Sequence, residues 1–140
     1  MASVLQKLGT ERALVVHGTD GLDEITTTAP TKVSELKDGV VSTYYIDAES
    51  FGIPKAESSD LKGGEAYENA EIINGIFTGE KGPKRDIVLI NAAAALYVAK
   101  KADNMKEGIE LAAQIIDTGK AMEKLNELRE FSNRFKGASA

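Results

Sequence analysis

Cysteine is missing from this 140-residue sequence, and histidine occurs once, as His17. The lack of cysteine excludes disulfide bonds, thiol catalysis and thiolate zinc sites, and it is typical of a cytoplasmic protein. A single histidine excludes a histidine-rich metal site. The longest apolar run, residues 87–99, contains Asn91 and is too short to span a bilayer. No basic segment followed by an apolar one opens the sequence, so we expect neither a signal peptide nor a membrane partner.

The overall composition is that of one globular domain. Hydrophobic residues make up 42% of the chain, which is enough for a real core in a sequence of this length. The formal net charge of -5 argues against nucleic acid as a partner.

The first half of the chain carries the signals for strands. Residues 2–8 predict a short helix that ends at Gly9. Residues 12–16 form an apolar run typical of a strand buried on both faces, and residues 24–28 are compatible with a further short strand. Residues 31–37 and 40–46 alternate polar and apolar side chains around Asp38-Gly39, a strong hairpin signal.

The second half of the chain is helical in pattern. A helix is predicted from Glu65, with a buried face at Ala66, Ala70, Ile73 and Phe77. Another begins at Pro83 and runs to about residue 101, and a third is capped at Asp103 or Asn104 with Glu107 completing a capping box. The buried stripe of this third helix is predicted at Ile109, Ala112, Ala113 and Ile116. A last helix is predicted with a stripe at Met122, Leu125, Leu128 and Phe131. The fold class is therefore α/β: a small sheet with a β-hairpin, and helices concentrated in the C-terminal half.

An acidic segment follows the first predicted strand and is the main candidate site. It places Asp20, Asp23 and Glu24 around Gly21, and α/β proteins usually bind ligands where a strand ends in such a loop. Mg²⁺ accepts one or two carboxylates and completes its shell with water and substrate phosphates. The alternative is a solvated turn, because Asp-Gly is ordinary turn chemistry. His17 precedes this segment and would contact a substrate or, more commonly for a lone histidine, serve the local structure.

Two further segments are weaker candidates. Gly63 and Gly64 follow Lys62 and precede a helix, so their amides would bind an anion or simply form a loop. Asn69 lies one turn into that helix, where it would face the same space or water. Lys81, Lys84 and Arg85 crowd the start of the next helix, where a solvated basic surface is the more usual outcome than a phosphate site.

Taken together and in this order, four segments resemble the anthranilate phosphoribosyltransferase family over residues 1–131. They are residues 12–18 (RALVVHG), 20–26 (DGLDEIT), 62–64 (KGG) with 68–73 (ENAEII), and 85–99 (RDIVLINAAAALYVA). The resemblance implies a partial phosphoribosyltransferase or nucleoside-phosphorylase-like α/β domain. It also implies transfer of a phosphoribosyl group from phosphoribosyl pyrophosphate to anthranilate, with Mg²⁺, in tryptophan biosynthesis.

The resemblance places the family's metal-binding pair on Asp23 and Glu24, with His17, Gly63, Gly64 and Asn69 as neighbours of the site. It assigns no catalytic acid or base here. The family's N-terminal helical domain and glycine-rich diphosphate loop have no counterpart in this sequence. We therefore expect residues 1–135 to be a C-terminal segment of the enzyme, inactive alone, with a frayed tail at 136–140.

Two other functions remain open from the sequence. One is a non-catalytic structural or regulatory module of the same fold, and the other is a segment of a related nucleoside phosphorylase. As partners we expect either a complementing N-terminal half or self-association through apolar surface that such a half would cover.

Overall fold

The computed structural model describes residues 1–134, so the predicted tail at 136–140 lies outside the described residues. The chain begins with helix α1 (Ala2–Lys7) and continues through strands β1 (Ala13–Gly18), β2 (Thr31–Lys37) and β3 (Val40–Ile46). A 3₁₀ turn (Ala48–Phe51) then leads to the helices. These are α2 (Ala66–Phe77), α3 (Pro83–Val98), α4 (Met105–Asp117) and α5 (Lys120–Asn133). The expected α/β class is confirmed.

The three strands form one antiparallel sheet in the order β1-β2-β3. The β2–β3 hairpin has the predicted bounds, and its turn places Asp38 at φ 50° and Gly39 at φ 75°. Left-handed backbone at both central residues is the geometry for which Asp-Gly is favoured in two-residue hairpins. In β1 and β2, Gly18 is paired with Thr31, so residues 19–30 form a loop at the end of the sheet.

Two predictions for the first half are wrong. Strand β1 is only half-buried between Leu14 and Val16, because among the described residues it has a neighbouring strand on one side alone. Residues 24–28 form no strand. Their amides are bound by side chains instead: Thr31 Oγ1 accepts from Thr26 N at 3.0 Å, and Thr26 Oγ1 accepts from Thr28 N at 3.0 Å.

Helices α3 and α4 pack closely and form the layer behind the sheet. Pro83 occupies the first turn of α3, as predicted. Asn104 caps α4 by accepting a hydrogen bond from Glu107 N at 3.0 Å, and Glu107 accepts one from Asp103 N at 2.9 Å. One apolar cluster consists of Ile25, Ala48, Ile53 and Ile90, and Val16 and Ile46 of the sheet pack against it. A second joins α2, α3 and α4 through Ile76, Leu89, Ala112 and Ile116.

The outer helices depart from their predicted faces. Helix α2 packs through Ile72, Ile76 and Phe77, whereas Ala66, Ala70 and Ile73 are exposed. The reason is that Ile72 and Ile76 form a competing apolar stripe one position round the helix. Helix α5 has no buried residue, and its predicted stripe ends at Leu128 and Phe131, which are 60% and 58% exposed. Within residues 1–134, no helix is both long and apolar enough to cross a membrane.

One of the basic residues for which a solvated surface was predicted, Arg85, is buried instead. The Arg85 side chain is 3% exposed, and its Nη2 lies 2.7 Å from Asp117 Oδ1. The prediction was wrong for Arg85 because the end of α4 brings a carboxylate to the start of α3. Lys84 does reach the surface, where its Nζ donates to the Asp60 carbonyl at 2.7 Å.

Candidate functional site

The loop of residues 19–30, here called the acidic loop, is a closely bonded structure at the end of the sheet. Gly18 N donates to Leu22 O at 2.9 Å, and Thr19 N donates to Pro30 O at 2.9 Å. A Cβ at Gly18 would lie 2.9 Å from Thr26 Cγ2 and would collide with the Asp20 carboxylate. Only glycine therefore allows the loop to fold back this closely on the end of β1.

Asp20 holds the inside of the acidic loop. Its Oδ2 accepts hydrogen bonds from Thr26 Oγ1 at 2.7 Å and from Thr28 Oγ1, and its Oδ1 accepts from Leu22 N at 3.2 Å. Desolvation alone would raise the pKa of Asp20, but these hydrogen bonds outweigh it and hold the pKa below the ordinary value. Of the three acids singled out in the sequence, Asp20 thus has a structural task.

Ile25 anchors the other end of the acidic segment in the core. Its side chain is 1% exposed and belongs to the cluster that contains Ile90. Its backbone is bound by Asn91 of helix α3: Ile25 N donates to Asn91 Oδ1 at 2.9 Å, and Asn91 Nδ2 donates to Ile25 O at 2.8 Å. One amide side chain therefore satisfies both polar groups of a buried residue, as a neighbouring strand would.

Asp23 and Glu24 lie between these two anchors, and both side chains are exposed. The pKa of Glu24 is raised, first by partial desolvation and second by the negative charge of Asp23. A cation bound by the two carboxylates would relieve that repulsion. Across residues 1–134, no three His, Cys, Asp or Glu side chains are grouped to hold a metal ion.

The donor set fits Mg²⁺ of the kind that shares its shell with a substrate. The pair offers hard oxygen ligands, and Mg²⁺ commonly takes one or two carboxylates together with water and phosphate oxygens. The adjacent residues Leu22 and Ile25 are both hydrogen-bonded through their backbones, so the pair projects from a fixed segment.

A cavity of about 490 Å³ brings the Lys62 segment beside the acidic loop. Its lining combines three residues of the acidic loop with four of the later segment: Asp20, Leu22 and Thr28, and Ser58, Ser59, Leu61 and Lys62. The structure thus joins two segments that the sequence singled out separately. Lys62 thus brings a positively charged side chain to a cavity that the acidic loop also lines.

Gly63 and Gly64 are held by the helix that follows them. Asn69 Oδ1 accepts from Gly64 N at 2.9 Å, and Asn69 Nδ2 donates to Gly64 O at 2.8 Å. Glu65 N donates to Glu68 Oε2 at 2.8 Å. These bonds occupy the Gly64 and Glu65 amides that an anion would need, so the geometry favours a loop-shaping role for Gly63, Gly64 and Asn69.

His17 is exposed near the end of β1, where it is paired across the strands with Lys32. It adjoins the acidic loop through Gly18. Its role as a neighbour of the site stays a prediction.

Sequence reasoning missed the link between Asn91 and Ile25. The signal was present, because a lone amide inside the apolar run of α3 requires a hydrogen-bonding partner. The partner could not be identified, since Ile25 lies 66 residues earlier in the chain.

The fold agrees with the class of protein that the sequence matches. The family model described as "Glycosyl transferase family, a/b domain" matches residues 1–122, and the chain belongs to that family. Its relatives include anthranilate phosphoribosyltransferases. That of Thermoanaerobacter sp. is 60% identical over 134 residues, which cover 96% of this chain and 40% of the relative. That of Acetivibrio thermocellus is 58% identical over 135 residues, covering 96% and 39%.

Solved structures give the same result. The anthranilate phosphoribosyltransferase of Thermus thermophilus matches 90% of this chain with a TM-score of 0.81 and 36% identity, over 37% of its own length. The Saccharomyces cerevisiae enzyme in complex with PRPP and Mg matches 81% with a TM-score of 0.72 and 28% identity, over 33% of its length. The chain therefore spans about two fifths of the relatives that it matches.

Proposed function

We propose that this chain supplies the Mg²⁺-binding segment of an anthranilate phosphoribosyltransferase, with Asp23 and Glu24 as the metal ligands. The observation that carries the proposal is the pair of adjacent exposed carboxylates, set between two residues held by hydrogen bonds. Their loop also lines a cavity with Lys62, through Asp20, Leu22 and Thr28. The yeast relative solved with PRPP and Mg supports the choice of metal and substrate.

The chemistry assigned to the chain is electrostatic. When bound, Mg²⁺ would supply positive charge to stabilise a pyrophosphate leaving group. Asp23 and Glu24 would hold the ion, and Asp20 holds the loop that carries them. Lys62, which lines the same cavity as Asp20, would offer a positive charge to an anionic substrate. No residue of the acidic loop is assigned a proton-transfer role, because an aromatic amine requires chiefly orientation toward the sugar carbon.

The reaction requires a larger protein than the segment described. The chain corresponds to about two fifths of its relatives, and the remaining three fifths would supply the other contacts to phosphoribosyl pyrophosphate and anthranilate. We therefore propose that the isolated chain has negligible activity and that a complementing N-terminal half is its partner. Exposed apolar side chains at Val4, Leu8 and Leu128 offer surface for such a half or for self-association.

The test is a chimera in which residues 1–134 replace the matching segment of the Thermoanaerobacter enzyme. Activity is followed through the fluorescence change on conversion of anthranilate, with the isolated chain assayed in parallel. We expect turnover by the chimera and none by the isolated chain. A well-folded chimera without turnover would instead indicate a non-catalytic module of the same fold, and robust turnover by the chain alone would refute the fragment assignment.

A further inference from the structure

Asn91 makes an unusual set of bonds for a side chain in the middle of a helix. Its Oδ1 accepts from Ile25 N at 2.9 Å, and its Nδ2 donates to Ile25 O at 2.8 Å and to Ile87 O at 2.9 Å. The oxygen faces an N–H group and the nitrogen faces two carbonyls, so a flipped amide would lose all three bonds. The side chain is therefore fixed in one orientation by its own helix and by the acidic loop.

These bonds define one end of the metal-binding pair, and Asp20 defines the other. Asp20 Oδ1 accepts from Leu22 N at 3.2 Å, and Asn91 holds both backbone groups of Ile25. Asp23 and Glu24 are the two residues between Leu22 and Ile25, whose backbones these bonds hold. Glu24 directly precedes Ile25, and their Cα atoms are about 3.8 Å apart. Rotation of the peptide that joins them would therefore change the direction of the Glu24 side chain.

We infer that Asn91 is a positioning residue for the metal site: its hydrogen bonds to Ile25 set the directions of the Asp23 and Glu24 side chains toward a divalent cation. The inference rests on the proposed function, since it takes the pair as the ligands. Groups that orient metal ligands, without touching the metal, commonly control affinity. Helix α3 thereby links the buried layer to a site on the loop.

Asn69 provides a matched control. It binds both backbone groups of Gly64, at 2.9 and 2.8 Å, as Asn91 binds those of Ile25. It lies in α2 and has no hydrogen bond to the acidic loop among those described. Removing it deletes the same kind of interaction without releasing Asp23 and Glu24.

The experiment titrates the complete chain with Mn²⁺ alone and follows paramagnetic broadening of backbone amide NMR signals. In the wild type, broadening should centre on the amides of Asp23 and Glu24. Asn91→Leu, which fills the space but makes none of the three bonds, should need roughly 10–100-fold more Mn²⁺ for the same broadening. Asn69→Ala should match the wild type, and thermal unfolding of each variant separates lost affinity from lost structure.

The outcomes distinguish the two proposals. Suppose that broadening in the wild type centres on Asp23 and Glu24, and that folded Asn91→Leu has the same Mn²⁺ midpoint. This result overturns the positioning role of Asn91 but supports Asp23 and Glu24 as metal ligands. No broadening there in the wild type overturns the metal pair and the positioning role together. If Asn91→Leu does not fold, Asn91→Ser provides the same comparison with a side chain too short to bind Ile25.

Amide hydrogen exchange tests the geometry without any substitution. The Ile25 amide, bound by Asn91, should exchange much more slowly in the wild type than that of Glu24. Equal exchange rates at Ile25 and Glu24 would overturn the inference.

Discussion

Replacement of Gly108 by alanine should destabilise the protein although it favours the helix. A Cβ at Gly108 in α4 would lie 2.9 Å from Ala93 O and 3.0 Å from Ala93 Cα and Cβ in α3. Ordinary contacts of this kind begin at 3.4 Å, so the two helices would have to separate by about 0.5 Å. The atoms in the way belong to the Ala93 backbone and its Cβ, and Ala93 is fully buried, so no flexible side chain can yield.

The magnitude follows from two opposing effects. Glycine to alanine within a helix contributes about 1 kcal/mol of stability through helix propensity. Overpacking of a well-packed interior costs about 1–3 kcal/mol. The expected result is a net loss of about 1 kcal/mol in the free energy of unfolding, measured by urea denaturation followed by circular dichroism.

Gly75 in α2 is the matched control. A Cβ there would meet only the carboxylate end of Glu80, which can swing away. Gly75→Ala should therefore gain about 0.5–1 kcal/mol from helix propensity alone. Equal stability of Gly108→Ala and Gly75→Ala would show that Ala93 imposes no packing cost at position 108.

Two pH-dependent predictions follow from buried or bonded ionisable groups. The hydrogen bond from Arg85 and its positive charge hold the pKa of Asp117 below the ordinary value of 3.8. The stabilisation that this ion pair gives the folded state is therefore present at neutral pH and is lost as pH falls through the folded-state pKa of Asp117. Asp117→Asn should lower stability at neutral pH and flatten the acid part of the urea-midpoint profile, whereas parallel profiles would contradict the assignment. Burial, followed by hydrogen bonds to Glu35, raises the pKa of Tyr44 and Tyr97 above 10. The stabilisation from the two protonated phenols is therefore fully present below pH 10 and is lost as pH rises through their folded-state pKa values. Glu35→Gln should make these two phenols ionise at lower pH in an ultraviolet titration, and an unchanged titration would show that Glu35 contributes nothing.

Local signals predicted the parts of the fold that local interactions determine. The Asp38-Gly39 turn specified the β2–β3 hairpin to the residue, and the Asn104 cap specified the start of α4. The face of α2 was wrong because two apolar stripes overlap on that helix, and only the packing of α3 and α4 selects between them. The burial of Arg85 depends on Asp117, a residue 32 positions away.

The sequence proposes the residues of the candidate site, whereas the contacts that hold them are visible only in the structure. Residue type and resemblance predict Asp23 and Glu24 as metal ligands, and the structure adds that Asp20 holds the loop internally. The bond between Asn91 and Ile25 is a long-range contact, so no local pattern could reveal it. The nearness of Lys62 to Asp20 across a shared cavity is likewise a consequence of the tertiary fold.

The Mg²⁺ dependence of chimera turnover tests whether Asp23 and Glu24 bind the Mg²⁺ used in catalysis. Asp23→Asn with Glu24→Gln should strongly raise the Mg²⁺ concentration required or abolish turnover, because both anionic ligands are lost. Glu110→Gln with Glu130→Gln removes the same charge from exposed positions on α4 and α5 and should leave the Mg²⁺ dependence unchanged. An Asp23→Asn, Glu24→Gln chimera with the parent's Mg²⁺ dependence would contradict the account.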